Sequence, residues 1–232
     1  MSKALFVTGT GTDIGKTYVT GLIVKKLMEA GKNPAYYKAA MSGNERRADG
    51  TLIPGDAQFV RQTSGILQPL ESMCHYVYEH AYSPHLASRI EGHPVVMDTV
   101  KSGYRSLCAS YDFITVEGSG GILCPICFDE APIQLEDVIR ELKLPSIIIA
   151  DAGLGTINSV GLTAEYMKAH QLPLKGMIFN HYHSGDLMEE DNIAMCEQMT
   201  GLPTLATVQD GDSELRIELD ALTALYDEVN EL

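Results

Sequence analysis

The sequence has no apolar run approaching the roughly 18 residues that a membrane-crossing helix needs, which excludes a helical membrane protein as a class. Its start, Met1-Ser2-Lys3, passes straight into strand-like sequence without the blocks of a signal peptide, and this predicts a cytoplasmic protein. Cysteine is scarce: five residues, odd in number and unevenly spaced, make no disulfide framework and are expected as free thiols. Positive charge is also short, with 17 basic residues against 31 acidic ones and a formal net charge of −14. Such a field repels polyanions, so neither nucleic acid nor an anionic membrane surface is an expected partner. Repeats, low-complexity tracts and long linkers are missing, so residues 1–232 are expected to form a single domain.

What is present is a chain of ordinary composition, 45% hydrophobic and 21% charged, long enough for one substantial core. Short apolar runs at Ala4–Val7, Ala35–Tyr37, Phe113–Val116, Ile147–Ala150, Met177–Phe179 and Thr204–Val208 read as strands. Their near-continuous hydrophobicity suits strands covered on both faces, and helical patterns alternate with them. The predicted fold is therefore α/β: three layers, with a mostly parallel central sheet and helices on both sides. Thr17–Ala30 reads as a helix closed by Gly31, and Ser83-Pro84 as an N-cap followed by proline at N1 of a helix through Ile90. Pro132–Leu142 and Ser159–Ala169 read as two more covers. In the tail, Glu214–Leu232, the residues Leu215, Leu219, Leu222, Leu225 and Val229 share one face of a predicted acidic helix.

An anion-binding site in so acidic a chain has to create its own positive potential. The segment Gly9-Thr10-Gly11-Thr12-Asp13-Ile14-Gly15-Lys16-Thr17, between a strand and a helix, has the parts to do so. Glycines admit phosphate oxygens close to the backbone, the helix N-terminus adds partial positive charge, Lys16 adds a full one, and the Thr17 hydroxyl suits Mg²⁺. Thr10 stands where the strict pattern has glycine, with Gly9 and Gly11 flanking it. A phosphate-bound Mg²⁺ takes few carboxylates, and three acids stand at strand ends or helix starts: Glu117 before Gly118-Ser119-Gly120-Gly121, Asp56 after Pro54-Gly55, and Asp151 after Ile147–Ala150. Glu117 ranks first among them. Lys38 closes a strand ahead of Ser42-Gly43, at the sheet edge where ligands gather.

Taken in order, Val7-Thr8-Gly9-Thr10, Gly15-Lys16-Thr17, Tyr37-Lys38 with Ser42-Gly43, Asp56, Ser83-Pro84-His85, Val116-Glu117-Gly118 with Gly120-Gly121, Leu154-Gly155-Thr156-Ile157-Asn158 and Asn180 resemble the dethiobiotin synthetase family. The resemblance implies a P-loop NTPase-like fold and a cytoplasmic homodimer. It implies a ligase that carboxylates 7,8-diaminononanoate with CO₂ and closes a cyclic urea by way of a phosphorylated carbamate, with ATP as co-substrate and Mg²⁺ as cofactor. It gives Lys16 and Lys38 catalytic roles and makes Thr17, Asp56 and Glu117 the metal ligands. ATP contacts are implied at Asp13, Ile14, Gly15, Lys16, Thr17 and Tyr18, at Asp56, at Glu117, Gly118, Ser119 and Gly120, and at Asn180, His181, Val208, Gln209 and Asp210. Thr12 and Ser42 would face the diamine, while Gly155, Thr156 and Asn158 of a partner copy would receive its carboxylate, placing the substrate site at the interface. Two departures stand out: Ala39 where the family commonly has proline, and Val208-Gln209-Asp210-Gly211 where it often has an Ile-Pro pair.

The rival reading is a regulatory ATPase of the partitioning type, which shares the loop but carries an additional lysine where this chain has Gly11. A GTPase would show Asn-Lys-x-Asp, and Asn180-His181-Tyr182-His183 has neither the lysine nor the aspartate. Cys124-Pro125-Ile126-Cys127 has metal or redox spacing without a second such pair and reads as a loop.

Overall fold

The computed structural model describes residues 2–129 and 131–229. β1 (Lys3–Gly9) leads through the glycine-rich loop into α1 (Lys16–Glu29) and then β2 (Pro34–Lys38). The stretch before β3 (Phe113–Glu117) is helical: α2 (Gly55–Ser64), α3 (Leu70–Met73), α4 (Pro84–Glu91) and α5 (Met97–Cys108). An antiparallel pair, β4 (Pro125–Cys127) and β5 (Ile133–Gln134), precedes α6 (Leu135–Glu141). Then follow β6 (Ser146–Asp151), α7 (Thr156–Ala169), β7 (Leu174–Asn180), α8 (Leu187–Thr200), β8 (Thr204–Thr207), α9 (Leu219–Thr223) and β9 (Asp227–Glu228).

The main sheet has the order β2-β3-β1-β6-β7-β8, with every neighbouring pair parallel. All six predicted runs are strands of it. Its two faces follow from the two-residue period of a strand. On β1, Ala4 and Phe6 enter one core with Tyr37, Val116, Ile148 and Phe179, while Leu5 and Val7 enter the other with Val19, Leu22, Ile147 and Ile178. Both faces are dry, as expected of strands without polar alternation. Deleting a side chain such as Phe6 costs about 3–5 kcal/mol in packing of this kind. Because the strands run the same way, their carboxyl ends meet at one edge: Gly9, Lys38, Glu117, Asp151 and Asn180 all close strands there. No helix among the described residues is long and apolar enough to cross a membrane.

Helix ends explain the local folding. α1 closes on Gly31 at φ 69°, where Lys32 N–H bonds to the Leu27 carbonyl at 3.0 Å and Gly31 N–H to Met28 at 3.0 Å. Ser83 stands at the N-cap of α4 with Pro84 at N1, although its hydroxyl meets His85 Nδ1 at 2.9 Å rather than capping the backbone.

Several expectations need correction. The tail is not one long helix: α9 has 5 residues, and the chain then extends so that β9 lies antiparallel to β1 through Lys3↔Glu228 and Ala4↔Asp227. β6 pairs with β1 only from Phe6 onward, which leaves that side of Lys3 and Ala4 open for β9. Of the predicted tail, residues 230–232 lie outside the described residues. The Pro132–Leu142 helix starts at Leu135, because Ile133–Gln134 is a strand and the Gln134 N–H is capped by Asp137 at 2.7 Å. α7 begins at Thr156 rather than Ser159. The Cys124–Cys127 segment carries β4 and is not a loop.

Candidate active site

The phosphate loop is clamped from two strands away. Gly15 adopts φ 83°, and a Cβ there would sit 2.1 Å from Asn180 Nδ2. That nitrogen donates to the Ile14 carbonyl at 3.1 Å, so the end of β7 fixes the loop's shape, while Asn180 Oδ1 is buried without a partner. Asp13 and His181 adopt left-handed φ values of 59° and 55°, unusual for non-glycine residues and both at this edge of the sheet. Lys16 opens α1, buried, with its ammonium 2.5 Å from the Gly11 carbonyl. Burial and then Lys38 lower its pKa, against the pull of Glu117 and Asp56.

Beside the loop lies a compact charge cluster. Lys38 and Glu117 are register partners across β2 and β3, so their side chains leave one face together. Lys38 Nζ donates to Glu117 Oε1 at 2.7 Å and to Asp56 Oδ2 at 2.6 Å. Thr17 Oγ1 donates to Glu117 Oε1 at 2.8 Å, and Tyr36 Oη to Glu117 Oε2 at 3.1 Å. Burial opposes the charge on Lys38, but the two carboxylates prevail and hold its pKa above the ordinary lysine value. For Asp56, burial pushes upward, and Lys38 together with Thr17 and Lys16 outweighs it, so that carboxyl is held below its usual value. Asp56 lies in the first turn of α2, and the turn is pinned by Asn44, whose Oδ1 accepts from Gly55 N–H at 2.9 Å while its Nδ2 donates to the Met41 and Tyr78 carbonyls.

The oxygen donors test well against a magnesium ion. Among the described residues no three His, Cys, Asp or Glu side chains gather as a metal cage. Thr17, Asp56 and Glu117 instead offer one hydroxyl and two carboxylates, a hard and incomplete set that suits an ion keeping water and phosphate ligands. Asp151 is a poor candidate for that set, because its Oδ1 is taken by Gly153 N–H at 2.6 Å in its own turn.

Residues 3–213 match a protein family described as an AAA domain. The ATP-dependent dethiobiotin synthetase of Brachyspira hyodysenteriae is 49% identical over 212 residues, covering 91% of this chain and 94% of that relative. The enzyme of the same description from Clostridium botulinum is 42% identical over 229 residues, covering 99% of this chain and 100% of the relative. The chain belongs to the dethiobiotin synthetase family. Among solved structures it is similar to the MinC:MinD cell division protein complex of Aquifex aeolicus, with TM-score 0.57 and 12% identity over 97% of this chain and 86% of the other. Chloroplast FtsY of Physcomitrella patens gives TM-score 0.54 and 14% identity over 97% of this chain and 65% of the other. At such identity these likenesses show the fold alone, a P-loop NTPase architecture.

Of the residues that the family resemblance singled out, Thr12, Asp13, Gly15, Lys16, Thr17, Lys38, Ser42, Asp56, Glu117, Ser119, Gly120 and His181 line one cleft of about 450 Å³. Ile14, Gly118 and Asn180 stand behind it: Ile14 and Asn180 shape the loop, and Gly118 N–H bonds to the Val7 carbonyl at 2.9 Å. Tyr18 points away, donating to the Asp212 carbonyl. Val208 is buried in the core, and Asp210 meets His181 Nδ1 at 2.5 Å, while Gln209 N–H is held by Asp212 at 2.9 Å. Gly155, Thr156 and Asn158 lie off the cleft, at the start of α7. Sequence reasoning missed three contributors: Met41, which lines the cleft, Asn44 and Tyr36. Tyr36 was detectable in principle, since it stands two residues before Lys38 and so shares its face of the strand.

Proposed function

We propose that this cleft makes dethiobiotin for biotin biosynthesis, carboxylating 7,8-diaminononanoate with CO₂ and closing its ureido ring at the expense of ATP. ATP-dependent dethiobiotin synthesis is the activity of the family to which the chain belongs. The observation that carries the reading is the gathering of two buried lysines beside the phosphate loop, Lys16 at the helix N-terminus and Lys38 paired with the carboxylates of Asp56 and Glu117.

One amine of the diamine takes up CO₂ as a carbamate, a carbamate oxygen accepts the γ-phosphoryl group, and the second amine then attacks the carbamate carbon as phosphate leaves. Little covalent chemistry falls to the protein, so positioning and charge neutralisation dominate. The loop from Asp13 to Thr17 holds the phosphates through its backbone and Lys16. Lys38 neutralises charge moving between carbamate and phosphoryl group. Thr12 and Ser42, both lining the cleft, present hydroxyls to the diamine side. Thr17, Asp56 and Glu117 would hold Mg²⁺, which when bound offsets phosphate charge. His181, which lines the cleft, and Asn180, which holds the loop from behind through the Ile14 carbonyl, are assigned to the nucleotide side.

A homodimer is part of the same reading. Leu154, just before α7, is 89% exposed, and Leu162, midway along the helix, is 66% exposed and lines a hollow with Ile157, Asn158 and Gly161, a surface suited to a second copy. The helix start at Gly155, Thr156 and Asn158 then receives the partner's substrate carboxylate, with the buried Thr156 Oγ1 unpartnered. The five free cysteines accord with a cytoplasmic, reducing location, and β9 returning to β1 accords with a single ligase domain. The purified chain incubated with diaminononanoate, bicarbonate and Mg-ATP is expected to yield dethiobiotin by mass spectrometry; ATP consumption without that product would sink the proposal.

A further inference from the structure

Glu117 is held from below as well as from the cleft. Its Oε1 faces Thr17 Oγ1 and Lys38 Nζ, and its Oε2 accepts a hydrogen bond from Tyr36 Oη at 3.1 Å. Both residues are buried, so water cannot take over that bond. A buried carboxylate oxygen without a donor is costly, and a donor fixed on one oxygen sets the rotation of the whole group.

Tyr36 is itself well fixed. β2 is an edge strand, and there the Tyr36 N–H donates to Gln68 Oε1 at 2.8 Å while its carbonyl accepts from Gln68 Nε2 at 3.0 Å. A side-chain amide thus completes the edge where a further strand would otherwise lie. The ring is packed with Val24, Met41, Ala57 and Val60 beneath α1 and α2.

We infer that Tyr36 is a positioning residue for the phosphoryl-transfer site, turning Glu117 so that a single oxygen, Oε1, is offered to Thr17, Lys38 and the metal end of the cleft. The inference rests on the proposed assignment of Glu117 to magnesium. The adjacent tyrosine provides a control within the same strand: Tyr37 Oη donates to the Val100 carbonyl at 2.9 Å and faces the opposite core.

The test uses the full chain with Tyr36→Phe, Tyr37→Phe and Glu117→Gln. Binding of Mn²⁺ in the presence of ATP and absence of diamine is followed by electron paramagnetic resonance, beside the Mg²⁺ half-saturation of turnover and the metal-free Tm. In Tyr36→Phe, Mn²⁺ binding is expected to weaken roughly tenfold, and the Mg²⁺ half-saturation to rise in step, as for loss of a hydrogen bond to a charged group. Its KM for the diamine should stay within about twofold. Tyr37→Phe should lower Tm and leave metal binding alone. Unchanged Mn²⁺ binding in Tyr36→Phe, with binding lost in Glu117→Gln, would refute the role of Tyr36 while keeping the metal assignment. Retained binding in Glu117→Gln would remove the assignment and the inference together. Equal weakening in both tyrosine variants would make Tyr36 merely structural.

Discussion

Replacing Lys38 by methionine probes the electrostatics of the cleft most directly. Methionine keeps much of the apolar stem and removes the charge. The Lys38 and Glu117 side chains are 7% and 0% exposed, which makes this a buried pair, and removing one partner of such a pair costs about 3–5 kcal/mol. Two features reduce the loss: Glu117 retains Thr17 and Tyr36 as donors, and Asp56 is 37% exposed and can be hydrated. The lower end, about 3 kcal/mol, is therefore expected. At roughly 2–4 °C per kcal/mol for a chain of this size, Tm should fall by about 6–12 °C in EDTA. Mg²⁺ supplies positive charge to the same oxygens, so it should restore much of that loss in the variant and raise the wild type far less. Calorimetric melts of both proteins, in EDTA and in Mg²⁺ without nucleotide, measure the difference. A drop below about 2 °C would refute the reasoning, given that spacing of Tm to free energy; so would an equal Mg²⁺ response in the two proteins. Turnover of the variant should fall at least about a thousandfold if Lys38 neutralises transition-state charge.

Gly15→Ala forces a side chain onto φ 83° and within 2.1 Å of Asn180 Nδ2, so ATP affinity by calorimetric titration should drop at least about tenfold; wild-type affinity would contradict the loop geometry. The Asp56 pKa is depressed below 3.8, so its stabilisation is complete above that pH and is lost as pH falls through the lower folded value. The Tm advantage of the wild type over Asp56→Asn at pH 6 should accordingly shrink below pH 3.8, and a constant gap would count against the ion pair. Leu162→Asp places a charge on the exposed apolar face of α7 and should convert a sedimenting dimer into monomer; an unaltered dimer would move the interface elsewhere.

The parallel sheet was legible because Ile147–Ala150 and its counterparts are apolar without alternation, a local signature of double-sided burial. The phosphate loop was legible for a similar reason, its function being written in contiguous residues. The tail misled because its leucines are buried as their spacing suggests, with Leu215 and Leu222 in the core, yet the segment is broken by short elements. What decides its path is non-local: β9 pairs with β1, and Tyr226 Oη meets Thr115 Oγ1 at 2.7 Å. α8 escaped notice because its buried positions include Glu189, Asn192 and Cys196 rather than an apolar stripe, with Asn192 bonding to the Ala152 and Gly153 carbonyls. Asn44 was invisible for a comparable reason, since its value lies in joining the Met41 loop, Tyr78 and the start of α2.

The two lysines of the cleft have a kinetic consequence. Each is already engaged by protein oxygen, Lys16 by the Gly11 carbonyl and Lys38 by two carboxylates, while the chain as a whole carries −14. A cleft neutralised from within does not broadcast an attractive potential into solvent, so an approaching nucleotide meets the repulsion of the whole molecule before it meets Lys16. Added salt should therefore quicken the first encounter by screening like charges, the reverse of electrostatic steering.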